Sequence, residues 1–156
     1  MASEQIREFW TEQFARPEPE KIICVGLNYL DHAAEGGMAV PALPLLFAKY
    51  ANTLVGDGEV VVLPRESSHV DAEAELALVI GEGCHRLPRE HALDVIAGYT
   101  CANDISARDL QSADGQWLRG KSYDAFCPVL PKLVPVSELG DGSGTRVIQR
   151  VNGQVL

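Results

Sequence analysis

The stretch HVDAEAELALVIG, residues 69–81, decides the fold of this chain. Asp71, Glu73 and Glu75 alternate with small or apolar residues, and an apolar run follows to Ile80. An alternation with period two predicts a β-strand whose carboxylates share one face. Same-face neighbours lie roughly 6.5 Å apart along a strand, a gap that two flexible glutamates can close over one cation. Oxygen ligands alone indicate a hard ion, magnesium, manganese or calcium, rather than zinc.

A further acidic residue, Asp104, follows the strand-like run GYTCAN and precedes the turn-like ISARD. At a strand end, its side chain can point toward ligands on a neighbouring strand. Asp104 could instead cap the turn that starts near Ile105, because aspartate is a favoured capping residue. The acidic strand also has a second interpretation, an edge strand whose outer face is charged and solvated. The residues alone leave both alternatives open.

The flanking segments predict a mixed α+β fold in which strands dominate. Glycine and proline separate short apolar runs, as is typical of strands joined by loops. The predicted helices are 5–15, closed by Pro17, and PREHALDVIAGY (88–99), with Pro88 at its first position. The predicted strands are 22–25, LFAKY (46–50), EVVVLP (59–64), 99–102 and the final VIQRVNGQVL (147–156), which enters an Asn152–Gly153 turn. A polar helical turn is predicted over 106–111.

Composition excludes several classes of protein. With 156 residues and 46% hydrophobic composition, the chain has material for one main globular core. Its 22 acidic and 13 basic residues give a net charge of -9, which repels nucleic acid and anionic membranes. No apolar run approaches the ~20 residues of a membrane span. The four cysteines form no C-x-x-C pair, so we expect a reducing, cytoplasmic location.

Five segments in order resemble the fumarylacetoacetate hydrolase family, and together they are far more specific than any one of them. The segments are GLNYLDHAAE (26–35), LFAKYANTLVGDG (46–58), DAEAELALVIG (71–81), AGYTCANDISARDLQ (97–111) and GKSYDAFCPV (120–129). The resemblance spans Lys21 to Leu156. It is closest to the acylpyruvase and oxaloacetate decarboxylase branch, because FCPV stands where other branches tend to carry a Gly-Pro pair.

The resemblance implies a rolled β-sandwich in two parts. We expect residues 1–60 to form a small N-terminal region with a lid segment at about 26–45, and 61–156 to form the first part of the catalytic domain. A G-T-P-x-G loop of the family is not found in the chain, so the sandwich is expected to be incomplete at the C-terminus. Uncovered edges then predict a homo-oligomer or a companion chain.

The same resemblance implies the site residues. The E-x-E pair and the later aspartate, here Glu73, Glu75 and Asp104, are expected to bind Mg²⁺, with Mn²⁺ or Ca²⁺ as alternatives. Lys121 matches the family's active-site lysine, although composition alone favours a surface lysine. We expect the neighbouring Gln111 and Arg108 to contact substrate oxygens, although Arg108 could equally form a structural ion pair with the nearby Asp104 or Asp109.

His32 and Glu35 form the last candidate pair. Three residues apart on a helical turn, they share a face, so the glutamate can orient the imidazole and raise its basicity. The alternative is an ordinary loop histidine. The pattern N-Y-x-x-H-x-x-E resembles the family's lid, which implies that His32 is a catalytic base and Glu35 its orienting partner.

These implications predict a divalent-metal-dependent hydrolase that cleaves a carbon–carbon bond in acylpyruvate-type 2,4-dioxo acids, with oxaloacetate decarboxylation as a companion reaction. The partner is therefore a small 2-oxo acid. One alternative is an isomerase or decarboxylase of 2-hydroxy-diene dicarboxylates in aromatic catabolism. An alternative of another class is a truncated, non-catalytic family member.

Overall fold

The computed structural model describes residues 1–29, 37 and 39–156. The fold is mixed, with short helices and strands in these ranges. In chain order they are α1 (Glu4–Phe14), β1 (Ile22–Gly26), β2 (Leu45–Lys49), a 3₁₀ turn (Ala51–Thr53), β3 (Leu54–Val55), β4 (Val70–Asp71), β5 (Ala74–Ile80), a 3₁₀ helix (Arg89–Val95), β6 (Ile96–Asn103), β7 (Ser106–Ala107), α2 (Arg108–Asp114), α3 (Leu118–Lys121), β8 (Cys127–Pro128), α4 (Val136–Leu139), β9 (Arg150–Val151) and β10 (Gln154–Val155). No helix in the described ranges is long and apolar enough to cross a membrane.

The acidic stretch lies in a long antiparallel pairing with the segment around Asp104. β5 pairs with β6, and β4 pairs with β7 in the same register. Between the two ladders the register places Glu73 opposite Asp104, whose backbone N–H donates to the Glu73 carbonyl at 2.9 Å. The predicted strand is therefore interrupted at residues 72–73. Because directly opposed residues point to the same face of a sheet, the acidic side chains converge.

The remaining strands also pair two by two within the described part of the chain. β1 and β2 are antiparallel, β3 and β8 are parallel, and β9 and β10 form the terminal hairpin that the Asn152–Gly153 turn predicts. Isolated bridges connect β6 to Val129 and Val134. The bridge to Val129 joins the β5–β6 ladder to the segment that directly follows β8.

The N-terminal helix supplies one face of the main core. Ile6 and Trp10 are buried against Leu54, Cys127 and Val129, as the amphipathic pattern of α1 predicts. The helix ends at Phe14, before the proline that the sequence places at position 17. Residues of both predicted parts of the chain thus pack into one cluster.

Three sequence-based element predictions were wrong or too short. The segment 88–99 is not an α-helix: it forms the 3₁₀ helix Arg89–Val95, which buries no residue, and then enters β6. Residues 59–64 form no strand, and Val60 is 80% exposed, because no described segment pairs with them. The predicted polar turn at 106–111 is the short strand β7 followed by α2, which continues to Asp114.

Candidate active site

Four carboxylates line one cleft of about 380 Å³. They are Asp71, Glu73 and Glu75 from the acidic stretch and Asp104 from the paired strand. The shared register of β4–β7 and β5–β6 brings them together, because all four positions lie on the same sheet face. Like charges this close repel, so the site requires cations to compensate them.

Lys121 is the main compensating cation. Its side chain is only 2% exposed, and its Nζ donates to Glu73 Oε2 and, at 2.6 Å, to Asp104 Oδ2. The lysine ends the short helix α3, which packs closely on α2. Gly120 permits this approach, because a Cβ there would lie 2.9 Å from both the Ala107 carbonyl oxygen and the Gln111 backbone nitrogen. The glycine thus places Lys121 between two acidic residues.

Lys49, at the end of β2, holds the other oxygen of the same aspartate. Its Nζ donates to Asp104 Oδ1 at 2.6 Å and to the Ile105 carbonyl at 3.1 Å, and its side chain is fully buried. Asp104 therefore lies between two buried lysines. Buried charges are tolerated when they are paired and hydrogen-bonded in this way.

Arg108, in the first turn of α2, forms a fork between two carboxylates. It donates to Asp71 Oδ2 at 2.9 Å and to Glu73 Oε1 at 2.6 Å, and its third contact is Gln111 Oε1 at 3.3 Å. Both predicted substrate-contacting residues, Arg108 and Gln111, line the cleft. Arg108 thus forms ion pairs with Asp71 and Glu73 rather than with its sequence neighbours Asp104 and Asp109.

The two glutamates differ in their electrostatic environment. Burial acts to raise the pKa of Glu73, but Lys121 and Arg108 outweigh it and lower that pKa to about 2. Burial raises the pKa of Glu75 to about 7, with neighbouring Glu73 and Asp104 acting in the same direction. A Tyr29 hydroxyl hydrogen bond opposes this shift without cancelling it. Glu75 is therefore the acid with the least cationic compensation.

The donor chemistry fits a hard divalent cation. Carboxylate oxygens from Glu73, Glu75 and Asp104 face one cleft, and hard ions prefer such ligands. Glu73 and Asp104 both bind the Lys121 ammonium, so the space between these two carboxylates stabilises a positive charge. In the described residues, no three or more His, Cys, Asp or Glu side chains are arranged as a ready metal-binding group. The ligand set therefore stays a prediction from the sequence.

The structure brings together the six described residues that the sequence singled out. Glu73, Glu75, Asp104, Arg108, Gln111 and Lys121 all line the cleft. His32 and Glu35 lie outside the described residues, as does most of the predicted lid's central part.

Sequence reasoning missed two residues that line this cleft, Tyr29 and Trp117, and one that binds Asp104, Lys49. Lys49 shares the inward face of β2 with Phe47, and a lysine ending an apolar strand was a usable signal. Tyr29 lies beside Glu75, and its hydroxyl accepts a hydrogen bond from the Leu76 N–H at 3.1 Å. Trp117 lines the cleft from the segment before α3 and carries no local signal.

Most of the chain matches a known protein family. A family model described as fumarylacetoacetate hydrolase C-terminal matches residues 21–156. The chain is 49% identical over 138 residues to an uncharacterized protein of Archaeoglobus fulgidus, covering 88% of this chain and 54% of that protein. It is 45% identical over 140 residues to the mitochondrial oxaloacetate tautomerase of Xenopus laevis, covering 88% and 44%.

A solved structure agrees in fold. The crystal structure of 5-carboxymethyl-2-hydroxymuconate delta-isomerase from Mycobacterium smegmatis superposes with a TM-score of 0.78 at 42% identity, covering 89% of this chain and 55% of that one. The chain thus spans about half the length of the relatives it matches.

Proposed function

Because the chain belongs to the fumarylacetoacetate hydrolase family, we propose that its cleft is the active site of a magnesium-dependent hydrolase. The substrates are acylpyruvate-type 2,4-dioxo acids, which are cleaved at a carbon–carbon bond. The observation that carries the proposal is the buried Lys121 ammonium held between Glu73 and Asp104, beside Glu75. Such a cation beside a set of oxygen ligands suits a reaction that develops negative charge on a substrate oxygen.

The chain's own residues divide the task. Glu73, Glu75 and Asp104 would hold Mg²⁺, which supplies Lewis-acid stabilisation of the 2-oxo acid oxygens. Lys121 donates a hydrogen bond to the oxygen that becomes an enolate. Gln111 and Arg108, on α2, orient substrate oxygens in the cleft.

The hydrolysis has a defined balance of bonds and protons. Water attacks the distal acyl carbonyl, the bond between that carbon and the methylene carbon breaks, and the electron pair stays on the methylene as an enolate. Protonation of the enolate gives pyruvate, and the acyl group leaves as a carboxylic acid. Water activation is assigned to His32, oriented by Glu35, from the sequence pattern alone.

A second candidate reaction uses the same charge stabilisation without water. The names of the similar Xenopus and Mycobacterium proteins, an oxaloacetate tautomerase and a muconate delta-isomerase, favour enolate formation followed by proton relocation. Oxaloacetate decarboxylation would give the same enolate after loss of carbon dioxide. Lys121 has the same role in all of these reactions.

We also propose that the two-stranded ladders are parts of a rolled β-sandwich, with residues 1–60 as its small N-terminal region. The likeness to solved relatives of the family supports this architecture.

The proposal is tested by metal binding and turnover together. Glu73→Gln, Glu75→Gln and Asp104→Asn should each weaken the Mg²⁺ affinity measured by calorimetry by at least about tenfold. Even mutation of residues that only hydrogen-bond to metal ligands typically lowers metal affinity or activity by ~10–100-fold. Acetylpyruvate cleavage by the parent should require Mg²⁺ and stop with a chelator. The matched control is Glu90→Gln, an exposed acid on the 3₁₀ helix. Unchanged Mg²⁺ affinity in the Glu73 variant, or cleavage without a divalent ion, would refute the proposal.

A further inference from the structure

Glu75 differs from the other two predicted metal ligands in how its carboxylate is held. Glu73 and Asp104 both accept hydrogen bonds from lysine or arginine side chains. In the part of the chain that the structure describes, no lysine or arginine forms an ion pair with Glu75. A neutral group orients this carboxylate instead.

Tyr29 is the neutral group beside Glu75. It lines the cleft just beyond the end of β1. Its hydroxyl accepts a hydrogen bond from the Leu76 N–H at 3.1 Å and also hydrogen-bonds to the Glu75 side chain. A phenolic hydroxyl has a single proton, and the Leu76 amide supplies the proton of the first bond. The hydroxyl proton is therefore donated to the Glu75 carboxylate.

The backbone on both sides of Glu75 holds this pair in place. β5 pairs with β6 along one edge, and on its other edge two backbone amides donate to side chains. The Leu76 N–H donates to Tyr29, and the Ala74 N–H donates to Gln149 Oε1 at 2.7 Å. Because the main chain of β5 fixes the hydroxyl, the Glu75 carboxylate has one preferred orientation. One of its two oxygens is committed to Tyr29.

A carboxylate held through one oxygen suits a small cation. Mg²⁺ requires near-octahedral oxygen ligands at about 2.0–2.1 Å, whereas Ca²⁺ takes about six to eight oxygens at about 2.3–2.6 Å and can bind both oxygens of one carboxylate. The hydrogen bond to Tyr29 leaves the second Glu75 oxygen for a metal ion and disfavours binding through both oxygens. The fixed orientation thus favours the ion with the stricter geometry.

We propose that Tyr29 is a specificity-determining residue that raises the preference of the site for Mg²⁺ over Ca²⁺, because its hydroxyl holds Glu75 so that a single carboxylate oxygen faces the ion. The inference rests on the proposed function for the set of metal ligands. It adds the residue that selects between the two ions, which the carboxylate ligands alone do not distinguish, because hard oxygen ligands bind both.

The test compares two metal affinities in variants that differ by one hydroxyl. Tyr29→Phe keeps the ring and, by calorimetry without substrate, should bind Mg²⁺ about tenfold more weakly, the lower end for loss of a hydrogen bond to a metal ligand. Its Ca²⁺ affinity should change by less than about threefold, because a freed Glu75 can bind through both oxygens. The matched control is Tyr50→Phe, which removes the hydroxyl of a tyrosine that is 58% exposed and should change neither affinity.

A double variant separates the positioning of Glu75 from a general structural role. In a Glu75→Ala background, Tyr29→Phe should change the ratio of the Mg²⁺ and Ca²⁺ affinities by less than about twofold, because no carboxylate remains for the hydroxyl to hold. Four results would each overturn the inference: equal losses for both ions in Tyr29→Phe, an unchanged affinity ratio, loss of folding in urea denaturation, or an undiminished effect in the Glu75→Ala background.

The inference and the proposed function fail in different ways. Mg²⁺-dependent acetylpyruvate cleavage with an unchanged affinity ratio in Tyr29→Phe would overturn the inference and leave the proposed function intact. A lowered ratio in a chain that cleaves no acetylpyruvate would support the inference and contradict the proposed hydrolase. A parent chain that binds neither ion would overturn both.

Discussion

Asp104 is the residue on which the charged network of the cleft converges. Lys49 and Lys121 each bind one of its carboxylate oxygens at 2.6 Å, and both lysines are buried. Two opposed lysines fix the rotamer of Asp104 and so present it to the cleft in one orientation. Networks of this kind are sensitive to partial disruption, because an unpaired buried charge is far more costly than an unpaired exposed one.

Removal of Lys49 should therefore destabilise the whole chain. We expect Lys49→Met to lower the free energy of unfolding by about 3 kcal/mol, the lower end for breaking a buried pair, because Asp104 keeps Lys121. Urea denaturation measures the loss. The control, Lys132→Met, removes an exposed lysine and should change stability by less than about 0.5 kcal/mol. If Lys49→Met lowers the free energy of unfolding no more than Lys132→Met does, the ion pair between Lys49 and Asp104 contributes nothing to stability.

Kinetics of two variants distinguish water activation from enolate stabilisation. His32→Ala should lower acylpyruvate hydrolysis by about 10²- to 10⁴-fold and oxaloacetate decarboxylation much less, because only hydrolysis needs an activated water. Lys121→Met should lower both reactions, because both develop enolate charge beside this lysine. The four rates are measured as pyruvate release, and equal losses of both reactions in His32→Ala would rule out water activation.

The raised pKa of Glu75 predicts an unusual pH dependence in protein kept free of divalent ions. The folded pKa is about 7 against an ordinary value of 4.5, so the folded state binds the extra proton between these values and stability falls as pH rises from 4.5 to 7. Glu75→Gln should remove this fall, which amounts to a few kcal/mol at most. Thermal unfolding in EDTA at pH 5 and pH 7 checks it. Parallel pH profiles of the parent and Glu75→Gln would contradict the assignment.

At the scale of elements, the contact between α2 and α3 determines where Lys121 lies. Gly120 faces backbone atoms of β7 and α2, which cannot move aside like a flexible side chain. Gly120→Ala should therefore push α3 outward, lower stability by about 1–3 kcal/mol as overpacking does, and reduce turnover by displacing Lys121. Gly83→Ala is the matched control, because nothing lies within 4 Å of its added Cβ. Denaturation and pyruvate release in both variants decide whether the contact matters.

At the scale of the whole molecule, apolar side chains remain uncovered on strands. Ile23 and Leu46, on β1 and β2, are 63% and 62% exposed, and Leu78 and Ile80, on β5, are 53% and 50% exposed. Two-stranded ladders also leave backbone donors and acceptors unpaired at their edges in the described ranges. Exposed apolar surface on open strands is typical of interfaces.

We expect the purified chain to self-associate through this surface. Light scattering at micromolar concentration should give a mass at least twice the 16.9 kDa of the chain. Leu46→Glu should shift the population toward monomer, because it places a charge on the strand surface. Leu43→Glu is the control, since Leu43 is 79% exposed in the segment before β2. A stable, folded monomer in the parent would disprove the expectation.

Part of the site could be predicted because its signals are local. The period-two pattern of residues 71–75 places carboxylates on one face whatever the rest of the chain does. The sequence motif around Lys121 points to an active-site lysine, and the structure places that residue among the carboxylates. The prediction of an α-helix at 88–99 was wrong because helical propensity is a weak signal when the helix buries no side chain. Arg89–Val95 form a 3₁₀ helix instead.

The sequence by itself determined the family, the mixed fold, the acidic strand and the candidate residues, because each depends on residues close together in the chain or on ordered motifs. Only the tertiary structure decided that Lys49 holds Asp104, a contact 55 residues apart, and that Trp117 closes over Gly26. Strand register and helix packing bring such residues together, and the local periodicity of the sequence predicts neither of them. Which cation meets which carboxylate, and which residues line the cleft, are therefore properties of the folded chain.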